Sequence, residues 1–146
     1  MTRADLIRDL EQEVGVLIRR VRRVIGVRAR AVHESLQPAA YLILAHVNAS
    51  GPLRASSIVE VFALDKGATS RHVHHLIDLG LVERTPDPED GRATLLTVTE
   101  EGARRMRDVA EHRRSWLDEQ LGDWSESELA GFVRDLGRYN ASLSDS

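Results

Sequence analysis

Apolar residues near the start of the chain recur every three or four positions, which is the period of one face of an α-helix. This stripe predicts a long amphipathic helix that ends near residues 33–37. Its members are Leu6, Leu10, Val14, Leu17, Val21 and Val24. Pro38 then fits the first turn of a second helix, residues 39–48, because the N–H that proline lacks has no partner at that position. The Ser-Gly-Pro string at residues 50–52 ends this helix.

The next part of the pattern predicts two short helices joined by a tight turn. Residues 54–64 form one apolar face, made by Ala55, Ile58, Val59 and Phe62. Asp65 can cap the following helix by accepting hydrogen bonds from its first free N–H groups. That helix is expected to run to Leu79, because Gly80 suits the left-handed position after a helix end. Two helices connected this closely are the core of a helix-turn-helix.

Two short β-segments follow, at residues 81–84 and 94–98. Between them, residues 87–92 read Asp-Pro-Glu-Asp-Gly-Arg. This is the chemistry of a turn, since proline fixes φ, aspartate accepts local hydrogen bonds and glycine allows positive φ. A hairpin directly after a helix-turn-helix is a wing.

The C-terminal part is expected to contain two more helices. Thr99 caps the first of these, and Ser125 with Glu128 has the spacing of a capping box at the start of the second. Residues 142–146 are expected to be frayed.

Composition narrows the protein class. The 146 residues contain no cysteine, which excludes disulfides, thiolate metal sites and cysteine redox switches. There is no signal region at the N-terminus and no apolar run near the ~20 residues of a membrane span, so we expect a cytoplasmic protein with no membrane partner. The net charge of −3 argues mildly against nucleic acid. However, residues 1–30 carry eight Arg against four acids, so local basic surfaces can coexist with an acidic total.

Four strings, in this order and at this spacing, resemble the MarR family of bacterial regulators. They are Ser70-Arg71, Leu79-Gly80-Leu81-Val82-Glu83-Arg84, the wing string at residues 87–92, and Leu96-Thr97-Val98-Thr99-Glu100-Glu101-Gly102. The resemblance covers residues 34–106 by motif and the flanking long helices by pattern. It implies a mainly α fold, a winged helix-turn-helix with a small β-hairpin wing and long N- and C-terminal dimerisation helices. The chain would be one domain, with residues 1–35 and 100–146 for dimerisation and 36–99 as the DNA-binding lobe.

The resemblance also implies a function and a set of site residues. It implies a homodimeric, sequence-specific DNA-binding transcriptional regulator on a palindromic operator in double-stranded DNA, acting as a repressor relieved by a small anionic or phenolic ligand. The second helix of the motif would enter the major groove and the wing tip the minor groove. Carried over position by position, the groove or phosphate contacts are Lys66, Ala68, Thr69, Ser70, Arg71, His72 and His75. The wing contact is Arg92, held by Asp90, and the candidate ligand-pocket residues are Arg19, His33 and His46.

Several of these assignments have structural alternatives. Arg71 can bond bidentately to guanine or clamp a phosphate, but it could instead form an ion pair with Asp78 or with an acid of the wing. Arg92 and Lys66 could be solvated side chains, and Arg19 could belong to a solvated helix face. His33 and His46 could be satisfied core or surface histidines. Trp116 and Trp124 are expected to pack in the dimer interface rather than on a ligand.

No catalytic, cofactor or metal site is expected. The chain has no glycine-rich phosphate loop, nucleophile elbow or metal signature, so we expect no enzyme. His72 and His75 lie one helical turn apart, a spacing that can hold a metal ion, but no carboxylate lies at matching spacing. Two other functions remain open. One is a DNA-binding regulator without an effector, and the other is a winged-helix protein-interaction module that does not bind DNA.

Overall fold

The computed structural model describes residues 1–144, which form six helices and two strands. The helices are α1 (Arg3–Val32), α2 (Pro38–Ser50), α3 (Ala55–Phe62), α4 (Lys66–Asp78), α5 (Glu100–Gln120) and α6 (Glu126–Ser142), and the strands are β1 (Val82–Pro86) and β2 (Thr94–Val98). The mainly α architecture with a two-stranded wing confirms the predicted fold class. The chain forms two compact units, Met1–Val109 and Ala110–Ser146. Asp145 and Ser146, at the end of the tail that we expected to be frayed, lie outside the described residues.

Local capping chemistry sets the ends of the helices. The carboxylate of Asp65 accepts a hydrogen bond of 2.7 Å from the Ala68 N–H at the start of α4. Ser125 and Glu128 form the predicted capping box at the start of α6. A second capping box, between Thr2 and Asp5, starts α1 three residues before the apolar stripe begins at Leu6. The caps at Asp65 and Ser125 confirm the predicted helix starts.

The core of the first unit is aliphatic and is centred on α2. This helix buries Ala40, Tyr41, Ile43, Leu44 and Val47. It packs against α1, α4 and β2. From α4 the core receives Val73 and Leu76, and from the wing strands it receives Val82 and Leu96. The helix-turn-helix is therefore fixed from one side, and the opposite side of α4 is left to solvent.

The wing is an antiparallel pair in which Val82 faces Val98 and Pro86 faces Thr94. Leu53 adds one bridge to Leu96, with N–H···O distances of 3.1 and 2.8 Å. β1 starts at Val82 rather than at the predicted residue 81. Leu81 instead closes the end of α4, because its N–H donates to the Leu76 carbonyl at 3.0 Å while Gly80 adopts a φ of 73°. This is the hydrogen-bond pattern of a Schellman motif.

The start of α5 is bonded to both α1 and the end of α4. The Thr99 hydroxyl donates to the Gly80 carbonyl at 2.6 Å and accepts from the Gly102 N–H at 3.0 Å, which confirms Thr99 as the cap. Arg105 donates to the Val32 carbonyl at 2.8 Å and to Glu101 at 2.7 Å. Hydrogen bonds from Arg104 and Arg105 lower the pKa of Glu101 to about 2.

The second unit contains the C-terminal part of α5 and all of α6. Trp124 packs edge-to-face on Phe132, with ring centroids 5.6 Å apart. Within residues 1–144, α6 contributes no buried side chain. Its apolar residues Leu129, Phe132, Val133 and Leu136 are exposed, as are Trp116 and Trp124. The helix includes Ser142 and is followed by a turn to Ser144, so it extends into the segment expected to be frayed. None of the helices in the described part of the chain has the length and apolar character needed to span a membrane.

Candidate nucleic-acid interface

The exposed face of α4 is the main candidate surface. Its inward face is formed by Thr69, Val73 and Leu76, spaced four and three residues apart and each nearly inaccessible. The exposed residues of α4 are Lys66, Gly67, Ser70, Arg71, His74 and Asp78. Of the predicted contacts, Lys66, Ser70 and Arg71 therefore lie on the solvent side, while Ala68 is half-buried.

The prediction that Thr69 faces DNA is wrong. Thr69 is only 2% exposed, because it lies on the same side of α4 as Val73 and Leu76. Its hydroxyl has no hydrogen-bond partner among the described residues. Sequence reasoning also missed His74, which is exposed one turn after Ser70. The inward spacing of Val73 and Leu76 is the signal that could have identified both residues.

Arg71 presents a free guanidinium at this surface. Its side chain forms no ion pair with any residue in 1–144, so the alternative pairing with Asp78 or a wing acid is not present. It borders an open cavity of about 290 Å³, which is lined by Ser35, Gln37, Arg71, His72 and His75. The cavity thus lies between α4 and the segment that connects α1 to α2.

His72 and His75, the two histidines predicted to contact DNA, line this cavity and are both half-buried. His75 is half-buried, and its Nε2 lies 3.1 Å from the Ser35 hydroxyl and 3.3 Å from the Ser35 carbonyl oxygen. Burial lowers the pKa of His72, and the nearby charges of Arg71 and His75 lower it further. Neutral imidazole is therefore the favoured form of His72 at pH 7 in the absence of a bound anion.

The predicted pocket residues are dispersed over the first unit. Arg19 is exposed on α1. His33 is the C-terminal cap residue of α1, and its Nδ1 accepts from the Ser35 N–H at 3.0 Å. His46 packs edge-to-face on Phe62 at 5.6 Å, which is the environment of a packed histidine. None of the three lines the cavity at Arg71, and their role in ligand binding stays a prediction.

Asp90 organises the wing tip through the main chain. Its carboxylate accepts from the Arg92 N–H at 3.1 Å, and its carbonyl accepts from the Ala93 N–H at 3.0 Å. The Arg92 side chain is exposed and forms no ion pair within the described part of the chain. Asp90 therefore shapes the turn that carries Arg92, rather than binding its guanidinium.

A contact that sequence reasoning missed lies at the base of the wing. Arg54, the residue before α3, donates to one carboxylate oxygen of Asp87 at 2.7 and 3.2 Å. The other carboxylate oxygen accepts from the Glu89 N–H at 2.9 Å. Hydrogen bonds from Glu89 and from Arg54 lower the pKa of Asp87. No local pattern links two residues that are 33 positions apart.

A metal ion has no evident place in the described residues. Residues 1–144 contain no group of three His, Asp or Glu side chains placed to hold one.

Comparison with known proteins identifies the family. A sequence profile of the MarR family matches residues 34–93. The chain is 32% identical over 111 residues to the HTH-type transcriptional regulator YxaD of Bacillus subtilis (strain 168), which covers 76% of this chain and 78% of YxaD. It is 30% identical over 100 residues to the multiple antibiotic resistance protein MarR of Escherichia coli (strain K12), covering 65% and 69% of the two chains.

Structural comparison gives the same fold. A MarR family transcriptional regulator from Listeria monocytogenes, solved in complex with 26mer DNA, superposes with a TM-score of 0.71 over 92% of this chain and 88% of that chain, at 16% identity. Together with the two curated relatives, these matches show that the chain belongs to the MarR family of helix-turn-helix transcriptional regulators, a family of regulators rather than enzymes.

Proposed function

We propose that this protein binds duplex DNA in a sequence-specific manner through the exposed face of α4. The observation that carries the proposal is the exposed Arg71, whose guanidinium has no ion-pair partner in residues 1–144. A guanidinium can bond bidentately to guanine in the major groove or clamp a phosphate. Ser70 and His74 flank it on the same face and can add hydrogen bonds. The DNA complex of the Listeria monocytogenes relative supports this use of the fold.

The wing supplies the second contact in this proposal. Arg92 is exposed beside a turn that Asp90 holds by a main-chain hydrogen bond of 3.1 Å. Arginine inserted into a minor groove is attracted by the negative potential there. Residues 36–99 would then act as the DNA-binding lobe, with α4 and the wing in adjacent grooves.

The protein acts as a homodimer on a palindromic operator in this proposal. Apolar side chains are left exposed on α1 and, separately, on α6. An amphipathic helix gains most of its stability from packing its apolar face. We therefore infer that a second copy of the chain covers these faces. Two-fold symmetry would place the two α4 helices about 34 Å apart on successive major grooves.

Regulation by a small anionic or phenolic ligand completes the proposal. The cavity beside α4 offers a guanidinium, two imidazoles, a hydroxyl and an amide, which together suit a carboxylate or phenolate. A ligand bound there would engage Arg71 and so compete with DNA. Repression would be relieved to the extent that the ligand prefers the DNA-free state.

Fluorescence anisotropy tests the proposal. Labelled DNA from immediately upstream of the coding gene is compared with a scrambled duplex over a salt series, first alone and then with benzoate or phenol as ligand probes. Preference for the upstream duplex with a steep salt dependence is expected, because phosphate contacts release counterions. Absent or salt-insensitive binding to both duplexes would instead favour a protein-interaction module. Binding that neither probe weakens would contradict the ligand part alone.

A further inference from the structure

The base of the wing is attached to α3 by a partly buried ion pair. Both hydrogen bonds from Arg54 reach the same oxygen of Asp87, at 2.7 and 3.2 Å. The Asp87 side chain is 9% exposed and that of Arg54 is 48% exposed. Such a pair is less screened by water and salt than a pair on an open surface.

Asp87 also closes the loop of the wing on itself. Its second carboxylate oxygen accepts from the Glu89 N–H at 2.9 Å, and its own N–H donates to the Ala93 carbonyl at 3.1 Å. Next to it, Leu53 is paired with Leu96 of β2. Residues 53–54 therefore contact β2 through the main chain of Leu53 and, through the side chain of Arg54, the residue that directly follows β1.

We propose that Arg54 and Asp87 are positioning residues that fix the wing against α3 and thereby place Arg92 for DNA. This inference rests on the proposed DNA-binding function. A two-stranded hairpin alone is only marginally stable in water, and residues 88–92 are all exposed. The ion pair is thus a side-chain contact that joins the wing to the residue before α3 and so limits the freedom of the wing tip.

A direct contact between Arg54 and phosphate is the competing explanation, since half of its side chain is exposed. The two explanations differ in what they require of Asp87. A positioning role needs the Asp87 carboxylate, whereas a phosphate contact needs only the arginine. Asp87→Asn retains an oxygen for the Glu89 N–H but removes the charge that binds Arg54, so this variant separates the explanations.

The decisive experiment measures the DNA affinity of the 146-residue chain by anisotropy in a mutant cycle. We expect Arg54→Gln and Asp87→Asn each to weaken binding about three- to tenfold, in the lower part of the range for residues in direct contact. Arg92→Ala should weaken DNA binding much less in the Arg54→Gln or Asp87→Asn variant than in the wild-type protein, because the wing tip is already displaced in both variants. Arg54→Lys should retain part of the affinity. Arg114→Gln, which removes one exposed charge on α5, is the matched control and should bind as the wild type does.

Amide hydrogen exchange of residues 89–93 provides a readout without DNA. We expect faster exchange in Arg54→Gln and Asp87→Asn than in the wild type, with circular dichroism unchanged. Unchanged exchange in both variants would overturn the proposal. So would a loss of affinity in Arg54→Gln alone with a salt slope reduced by about one, the signature of a phosphate contact. If the wild-type chain binds no duplex while the exchange still responds, the DNA-binding function fails and the attachment of the wing stands.

Discussion

Arg71 is the residue whose removal most directly tests DNA recognition. Replacing Arg71 by Ala should weaken operator binding by about 1–3 kcal/mol if the guanidinium reads a base. In that case the preference for operator over scrambled DNA should fall as well, whereas a phosphate contact would give an equal loss on both duplexes. Arg107→Ala, which removes an exposed arginine from α5, is the control for charge. Undiminished binding by Arg71→Ala would contradict the assignment of α4 to DNA.

Thr69, on the buried side of α4, affects the stability of the protein rather than DNA binding. Its hydroxyl is buried without a hydrogen-bond partner among residues 1–144. Valine has nearly the same shape and no polar atom, so Thr69→Val should raise the free energy of unfolding by about 1 kcal/mol. Urea denaturation at a fixed protein concentration measures the change. DNA affinity should stay the same, because the side chain points inward; a lower stability would show that the hydroxyl is satisfied in solution.

Which residues of α4 are exposed could be predicted from the sequence, whereas the buried position of Thr69 and the contact between Arg54 and Asp87 were not predicted. Lys66, Ser70 and Arg71 lie on the solvent side because a helix that buries Val73 must expose the residues opposite. Thr69 was included because positions were carried over from the family resemblance one by one, without regard to the helical period that places Thr69 on the buried side of α4. The contact between Arg54 and Asp87 depends on tertiary packing and leaves no mark in the local sequence.

At the level of elements, boundaries were predictable wherever a cap fixed them. Asp65, Gly80, Thr99 and Ser125 each act at a helix end as expected, because capping depends on residues within a few positions. The start of β1 was not predicted correctly. Leu81 is apolar and reads as strand, but its N–H is used by the carbonyl of Leu76 at the end of α4.

The contact of α5 with the wing depends on Gly102. A Cβ at this position would overlap the Leu81 carbonyl oxygen and lie 2.9 Å from the Val98 side chain. Gly102→Ala should therefore lower the free energy of unfolding by about 1–3 kcal/mol, the usual cost of overpacking. Gly137→Ala on α6 is the control, since a Cβ there meets nothing within 4 Å and should be neutral or stabilising by up to ~1 kcal/mol. Equal urea midpoints for the two variants would contradict the close approach of α5.

The first turn of α5 should also make stability depend on pH. The pKa of Glu101 falls from its ordinary value of 4.5 to about 2 through hydrogen bonds from Arg104 and Arg105. A carboxyl whose pKa is lowered on folding stabilises the protein above its unfolded pKa and loses this effect as pH falls through the folded value. The stability difference between wild type and Glu101→Gln should thus be full at pH 6 and shrink below pH 4.5. A difference that stays constant down to pH 3.5 would contradict the ion pair; Asp118→Asn is the control.

At the scale of the whole molecule, the exposed apolar surface is the feature that bears on assembly. α6 is 17 residues long and buries none of them within the described chain. Leu129, Phe132, Val133 and Leu136 fall on one of its faces and are at least a third exposed. A monomer would leave this face of α6 in water, which supports the proposal that two chains assemble through it.

Val133 is suited to test that assembly because its side chain is 61% exposed and its loss should leave the single chain folded. Val133→Glu should convert a dimer to a monomer at micromolar concentration, because a carboxylate buried in an apolar interface would have no partner. Sedimentation velocity over a concentration series measures the change. The matched control is Ser127→Glu, which adds the same side chain at an exposed position on the opposite side of α6.

Operator binding should follow the assembly state. A monomer can reach only one half-site, so Val133→Glu should lose affinity for a palindrome far more than for a duplex with a single half-site. Circular dichroism distinguishes this loss from unfolding. A wild-type chain that sediments as a monomer, or a Val133→Glu variant that remains a dimer, would contradict the proposed interface. If Val133→Glu is monomeric yet binds the palindrome as tightly as the wild type, the two half-sites are read independently and symmetry has no part in recognition.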